Sequence, residues 1–351
     1  MNTIALNHIG EIRSGGGDSK PSPIPQWIRE HVVFYYDVKK QGATNETLKE
    51  SAYLQDLSGK GRRMKLNNFL FAEMSGVGGY NENFLKWNSP SSYGNVEKVS
   101  SSEVVIKSLL GVQKGVLYID LSIKAVHIKC HITGITKEIE GKFVFQYNKQ
   151  GNKHIILKDG NFEFDSESLS LGSENSWVGF TTLEVIDNCN ITITQIPEYP
   201  GALVTDGVND YGLVENLSSG VKMLFMTVNP MSKNRVLYDA RNNSGFAIYN
   251  TNAMIAYQAI NKQGFTYING VLNKTIYPYD LVGEKQVITI CNDTVPDSVK
   301  GMDVLFASFN KNENMSCAFY NSIAFDSIPT EADGFTEQEL IDYVLTNIIG
   351  Q

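Results

Sequence analysis

Short runs in which apolar and polar residues alternate recur along this chain, and they limit its fold more than any other feature of the sequence. The runs 126–132, 143–147 and 191–194 each place an apolar residue at every second position. A period of two buries one face of a β-strand and leaves the other in water. We therefore expect an all-β protein made of hairpins. Another strand-like segment lies at 32–36. From residue 222 onward, strand-like segments follow at intervals of about ten residues: 222–228, 235–239, 246–249, 254–258, 265–268, 286–291, 304–309 and 316–325.

Changes in composition divide the sequence into domains. Residues 88–102 are rich in Ser, Asn, Gly and Pro and predict a boundary, and 196–201 contains prolines and a glycine that interrupt the β pattern. Between these segments, 101–197 is predicted to form a smaller, inserted β-sandwich. The flanking pieces, 27–100 and 198–351, are predicted to pair into one discontinuous domain.

The end of the chain predicts a short helix. Thr336 and Glu339 have the spacing of a capping box, and the apolar residues within 340–348 fall on one helical face. The polar segment 42–51 is expected to be a loop.

Residues 1–26 predict an extended N-terminal arm. A triglycine at 15–17 adds backbone freedom, and spaced prolines follow it. Two interpretations remain open: a floppy terminus, or a segment that becomes ordered against a partner. The apolar residues that would dock in the second case are Ile4, Leu6, Ile9 and Trp27.

Composition excludes several classes of partner. The net charge of the 351 residues is −8, and the basic cluster at 60–65 is too small to form a phosphate-binding surface, so no nucleic acid is expected. No run approaches the ~18 apolar residues of a membrane span, and no signal peptide is visible. We expect a soluble protein made in the cytoplasm. The cysteines at 130, 189, 291 and 317 lie far apart, which predicts free thiols and no zinc site.

Four short motifs, in order, are similar to those of laminin-G-like (concanavalin-like) domains. They are Asp56–Gly61, Asp206–Tyr211, Tyr267–Gly270 and Thr336–Glu339, with the pattern Asp-x-Ser-Gly-x-Gly in the first. The resemblance implies that the discontinuous domain is a jelly-roll sandwich, a fold used for binding and structure.

A narrower resemblance involves Pro23–Ile28, Met74–Tyr80 and Ile196–Leu203. These segments look like parts of proteins encoded by phages and prophages of gut anaerobes, including crAss-like phages, that resemble fibre or appendage proteins. The resemblance implies a structural role in the virion, assembly in the host cytoplasm, attachment to other virion proteins through the arm, and a homotrimer. Coiled-coil heptads are not found, which favours a short, knob-like fibre.

Two kinds of ligand site are candidates on this chain. Asp206, Asn209 and Asp210 could offer oxygen atoms to calcium at a sandwich rim, although a structural turn explains the same residues. Host-surface glycans could stack on aromatic rings in loop-like segments, and the alternative for those rings is packing at a rim or subunit interface. The aromatic candidates are Tyr80, Trp87, Tyr93, Tyr277 and Tyr279.

Catalytic signatures are missing from the sequence. There is no G-x-S-x-G elbow, no Walker loop and no complete dinucleotide-binding loop, so neither an enzyme nor a cofactor is expected. A virion fibre or appendage subunit is the leading interpretation. The alternatives are a carbohydrate-binding adhesin without a virion role and, less favoured, a polysaccharide depolymerase.

Overall fold

The computed structural model describes residues 25–120, 125–147, 153–167, 177–217, 220–232, 235–239, 246–251, 254–259, 265–273, 283–291, 301–307, 314–334 and 336–349. The α-helices are α1 (Gln26–His31), α2 (Asn45–Ser51) and α3 (Glu337–Val344). Shorter helical turns lie at Phe84–Lys86, Glu331–Asp333 and Leu345–Ile349.

The strands are short and follow one another closely, as the alternation predicts. They are β1 (Val32–Asp37), β2 (Tyr53–Leu54), β3 (Met64–Asn67), β4 (Gly76–Val77), β5 (Gly94–Lys98), β6 (Glu103–Leu109), β7 (Leu117–Asp120), β8 (His127–Thr133), β9 (Phe143–Tyr147), β10 (His154–Ile156), β11 (Gly160–Asp165), β12 (Trp177–Thr182), β13 (Ile191–Gln195), β14 (Leu203–Asp206), β15 (Tyr211–Leu217), β16 (Met223–Pro230), β17 (Arg235–Asp239), β18 (Phe246–Thr251), β19 (Met254–Ala259), β20 (Phe265–Ile268), β21 (Val271–Asn273), β22 (Gln286–Cys291), β23 (Gly301–Leu305) and β24 (Ser316–Phe325). The all-β prediction is confirmed.

The chain divides into two compact units. The first, which we call the discontinuous unit, combines the residues up to Phe71, Ser75–Val77 and the residues from Gly201 onward. The second, the inserted unit, combines Ala72–Met74 with Gly78–Pro200.

Two antiparallel sheets form the discontinuous unit. The larger has the order β21-β20-β22-β16-β24-β14-β4. In addition, β1 pairs with β24 along the same edge as β14, at a different part of that strand. The smaller has the order β19-β18-β17-β23-β15-β3-β2. Side chains from both sheets meet in one apolar core that includes Phe34, Met226 and Phe319 from the larger sheet and Met64 and Leu237 from the smaller.

Helices cover the opposite face of the larger sheet. Alternate residues of β1 and β24, such as Tyr35 and Ile323, point away from the sandwich core into a second apolar cluster. Leu340, Ile341 and Val344 of α3 pack there, and so does α1. The predicted capping box is present, because Thr336 and Glu339 bond each other's backbone N–H groups.

The inserted unit is a smaller two-sheet sandwich. Its sheets have the orders β10-β9-β12-β7 and β11-β8-β13-β6-β5. Phe145 and Phe180 of the first sheet meet Ile128, Ile132 and Ile193 of the second in a shared core.

The structure places the start of the inserted unit earlier than predicted. The segment 88–102 is not a boundary, because it contains β5, which pairs with β6 in the five-stranded sheet. The loop-like composition reflects short turns on either side of one strand. The predicted limits 27–100 and 101–197 are therefore wrong at their shared end, which lies at Gly78.

The predicted loop at 42–51 is also wrong in part. Residues Asn45–Ser51 form α2. Thr44 caps its N-terminus, and the Thr44 side chain accepts a hydrogen bond from the backbone N–H of Thr47. This cap, and the burial of Leu48 in the core, stabilise a helix too short for its periodicity to be recognised in the sequence.

Candidate functional site

The Asp56–Gly61 motif forms a turn around one buried carboxylate. Asp56 accepts hydrogen bonds from the backbone N–H groups of Tyr35 at 3.0 Å, Ser58 at 2.9 Å and Arg62 at 2.9 Å. The first of these bonds ties the turn to β1. The motif thus fixes the position of the backbone around it. The Arg62 guanidinium adds a further bond to β1, since it donates to the carbonyl oxygen of Val33 at 2.9 Å.

The acidic turn between β14 and β15 is held together by its own side chains. Asp206 Oδ1 accepts from the backbone N–H groups of Val208 at 2.8 Å and Asn209 at 3.3 Å. Asp210 Oδ2 accepts from the backbone N–H of Asp206 at 3.0 Å. Gly207 has a φ of 74°, a conformation that a side chain would strain. The three predicted calcium ligands therefore lie within one tight turn, and the carboxyl groups of Asp206 and Asp210 bond to its backbone.

Burial changes the chemistry of Asp210, whose side chain is 0 % exposed. Loss of water raises the pKa of Asp210 to about 7, against the opposing effect of hydrogen bonds from Asp206 and Ser75. Among the described residues, no three His, Cys, Asp or Glu side chains converge as a metal ion would require. The geometry favours the structural turn.

The third and fourth motifs meet at the N-terminus of α3. Tyr267 Oη donates to Glu337 Oε1 at 2.7 Å, and the thiol of Cys291 also bonds this carboxylate. Burial, together with Glu337, raises the pKa of both Tyr267 and Cys291. The thiol therefore stays protonated, and the cluster ties α3 to β20 and β22 instead of supplying a nucleophile.

The prediction that Trp87 presents an exposed ring is wrong. The side chain is 2 % exposed, and its ring centroid lies 5.5 Å from that of Phe84 and 6.1 Å from that of Phe180. Its indole N–H donates to Glu82 Oε2 at 3.3 Å. Trp87 follows a polar, loop-like sequence, but its ring turns into the core of the inserted unit.

The other predicted glycan contacts lie at separate places or outside the described residues. Tyr80 is half-buried, with its ring over Gly78, and Tyr93 is half-buried against Gly111. The ammonium of Lys114 lies 5.1 Å from the centroid of the Tyr93 ring. The remaining two candidates, Tyr277 and Tyr279, are outside the described residues.

The predicted attachment residues divide in the same way. Ile4, Leu6 and Ile9 lie outside the described residues. Trp27, by contrast, is 7 % exposed and packs within its own unit, with its ring centroid 5.5 Å from that of Phe325. Trp27 is thus not a free docking residue, because its ring is already covered by the sheet on which α1 lies.

Sequence reasoning missed an aromatic pair on the four-stranded sheet of the inserted unit. Tyr118 of β7 and Trp177 of β12 have ring centroids 5.5 Å apart and planes inclined by 59°. Both are half-buried. The alternation could have identified Tyr118, since its sequence neighbours are apolar and predict that it points away from the core.

The register confirms that this pair lies on the outer face. Leu117 and Ile119 on β7 are core residues, as are Val178 and Phe180 on β12. Tyr118 lies between Leu117 and Ile119, and Trp177 directly precedes Val178, so both side chains point to the other side of the sheet.

No helix of the described residues is long and apolar enough to cross a membrane. No protein-family model, curated protein or solved structure matches this chain.

Proposed function

We propose that this chain is a structural subunit of a phage virion, a head or tail fibre or appendage. In this proposal the N-terminal arm, residues 1–26, attaches to capsid or tail proteins, and the two β units face outward. The discontinuous unit is a laminin-G-like jelly roll, the chain is not an enzyme, and it assembles as a homotrimer. Its outer surface is free to contact host glycans.

The contacts of the polar groups in the four motifs support a holding role over a catalytic one. Asp56 binds three backbone N–H groups, Asp206 and Asp210 close a turn, and Glu337 binds a tyrosine and a thiol. A catalytic carboxylate has to reach a substrate, whereas these carboxylates are engaged with the protein's own chain.

The observation that carries the proposal is the anchoring of the chain at the point where the arm ends. Trp27 and Ile28 are buried in the cluster between α3 and the larger sheet, and β1 pairs with β24 directly afterwards. A force on the arm would therefore be transmitted to the centre of a sheet. Such an anchor suits a segment that holds a subunit to a particle.

Deletion of residues 2–24 tests this proposal. The deletion ends before Pro25, which precedes α1, and so leaves the described fold complete. We expect the truncated chain to melt at the same temperature as the full chain and to be missing from purified particles by mass spectrometry. A full chain whose residues 2–24 are scrambled is the matched control and should also be missing. Truncated protein in particles at the normal amount would contradict the proposal.

Light scattering of the purified full chain tests the homotrimer. The expected mass is three times that of the chain, because the resemblance to fibre proteins implies a trimer around a rotation axis. A monomer at micromolar concentration would refute self-assembly outside the particle.

A carbohydrate-binding adhesin is a second candidate, and the aromatic pair Tyr118 and Trp177 favours it. Half-exposed rings on a sheet face suit the apolar side of a sugar. The adhesin and fibre proposals are compatible. A depolymerase is the third candidate, and release of reducing ends from host polysaccharide would separate it from an adhesin.

A further inference from the structure

We infer that the outer face of the four-stranded sheet in the inserted unit binds neutral glycans, with Tyr118 and Trp177 as the platform on which a pyranose ring stacks. This inference rests on the adhesive part of the proposed function and gives it a site and a ligand class.

Two glycines shape the platform around Tyr118. A Cβ atom at Gly115 would come within 2.5 Å of the Tyr118 ring, and one at Gly179 would come within 2.6 Å of its Cβ. The Tyr118 side chain therefore packs against the backbone of two glycines, which have no side chain to displace it. Its ring lies close to the sheet, and the centroid of the Trp177 ring is 5.5 Å from that of Tyr118.

Polar side chains surround the two rings at neighbouring register positions. Asp120 is directly opposite Trp177 on β7, and Gln146 of β9 is directly opposite Gly179. His154 of β10 is opposite Gln146 and is exposed. His154, Gln146, Gly179 and Tyr118 therefore form one row across the four strands. The row has three spacings of about 4.8 Å each, so it is about 14 Å long.

This combination of groups fits a sugar in particular. A pyranose has an apolar face of C–H groups, which packs on an aromatic ring, and a rim of hydroxyl groups, which need donors and acceptors. The amide of Gln146 and the imidazole of His154 can supply both. An apolar peptide offers no hydroxyl groups to these two side chains.

The net charge of the chain bears on the charge of the ligand. The 351 residues carry a net charge of −8, so uronic or sialic acids would meet a repulsive field. The same field does not act against neutral hexoses. The expected ligands are therefore neutral oligosaccharides long enough to cover more than one strand.

The tryptophans of the protein give a direct readout. Of the three tryptophans in the chain, Trp27 and Trp87 are 7 % and 2 % exposed, so acrylamide should quench mainly the fluorescence of Trp177. The probes are maltohexaose, cellohexaose, mannohexaose and the hexamer of N-acetylglucosamine, with polygalacturonate as the acidic control. We expect at least one neutral probe to protect the fluorescence from quenching in a saturable manner. Polygalacturonate should give no protection.

Substitutions assign the binding to the platform, with calorimetry to measure affinity on the full chain. Trp177→Ala and Tyr118→Ala should each weaken binding about tenfold or more, which corresponds to about 1.4 kcal/mol. Trp177→Phe keeps a ring and should lose less. Tyr53→Ala is the matched control, since Tyr53 is a half-exposed tyrosine of the other unit, and it should bind like the unmodified protein.

Three results would overturn the inference. The first is that none of the four neutral probes protects the fluorescence at millimolar concentration. The second is that folded Trp177→Ala and Tyr118→Ala variants bind as tightly as the unmodified protein, and the third is that polygalacturonate binds as tightly as the neutral probes. The quenching experiment uses unmodified protein, so it decides the question even if a variant fails to fold. All of these measurements are made without particles, and particle incorporation depends on the arm. Failure of the glycan site and failure of the virion role are therefore distinguishable.

Discussion

Carboxyl groups hold backbone turns at several points of the discontinuous unit. Asp56 gathers three N–H donors from β1 and from its own turn, and Asp206 gathers two from the turn that follows β14. In such turns, one carboxyl side chain accepts hydrogen bonds from several backbone N–H groups. Removal of that side chain leaves buried donors without acceptors, which costs more free energy than the bonds themselves contribute.

Substitution of Asp56 tests this dependence. Asp56→Ala should lower the free energy of unfolding of the discontinuous unit by about 3 kcal/mol, because three backbone donors lose their acceptor. Scanning calorimetry would measure the change. The matched control is Asp187→Ala at an exposed position, expected within about 0.5 kcal/mol of the unmodified protein. Equal stability of the two variants would show that the turn does not need its carboxylate.

The buried carboxyl group of Asp210 predicts a pH dependence. Its pKa of about 7 in the fold exceeds the value of about 3.9 in an unfolded chain, so the folded state binds the proton more tightly. The resulting stabilisation is complete below about pH 4 and is lost as the pH rises through about 7.

The variant Asp210→Asn isolates this effect in urea titrations. The amide cannot ionise, so its stability relative to the unmodified protein should be constant below about pH 4 and should increase up to about pH 7. A stability difference that is the same at pH 4 and pH 8 would show that Asp210 does not titrate across this range.

The limits of the sequence are clearest for the tryptophans. Trp87 follows a 3₁₀ turn in a polar segment, and local composition does not show that its ring enters a core made of residues far along the chain. Trp177 was missed because the outward direction of its ring depends on pairing with β7, a long-range contact. Residue type and period predicted the strands but not which aromatic rings remain in contact with water.

At the scale of elements, α3 shows how a helix completes a sheet. The larger sheet has apolar residues on both faces, such as Tyr35 and Ile323 on the side away from the sandwich core. One face packs on the second sheet, and α3 and α1 cover the other. The helix was predictable because its capping box and apolar face are local, whereas the sheet face that it covers was not.

A pair of substitutions in α3 measures the value of this cover. Leu340 is 0 % exposed, and Leu340→Ala should destabilise the discontinuous unit by about 2–5 kcal/mol through lost contacts and a residual cavity. Gln338→Ala lies two residues earlier on the exposed face and should change stability by less than about 0.5 kcal/mol. Thermal unfolding would compare them. A small effect of Leu340→Ala would mean that the sheet is stable without the helix against it.

At the scale of the whole molecule, the two units have separate cores and separate sheets. The start and the end of the inserted unit are joined by backbone hydrogen bonds from Tyr199 to Gly78 at 2.8 Å and from Glu198 to Gly79 at 2.9 Å. These residues belong to two of the three segments that carry the narrower resemblance. The sequence showed the segments but not that they bond to each other, because about 120 residues separate them.

The boundary at Gly78 predicts how fragments behave. The fragment 78–200 should fold alone, because it contains both sheets and the whole apolar core of the inserted unit. The fragment 101–197 should not, since it lacks β5, Phe84 and Trp87. Dispersion of amide signals in two-dimensional NMR spectra would separate folded from unfolded fragments. Two folded fragments would move the boundary back toward residue 100.

The pairing of Val77 with Leu203 sets where the chain leaves the discontinuous unit and where it returns, because these two residues are neighbours on adjacent strands. Any module whose own ends lie as close together can occupy that place without stretching β4 or β14. Replacement of the residues between these two points by another such module would keep the pairing of β4 with β14.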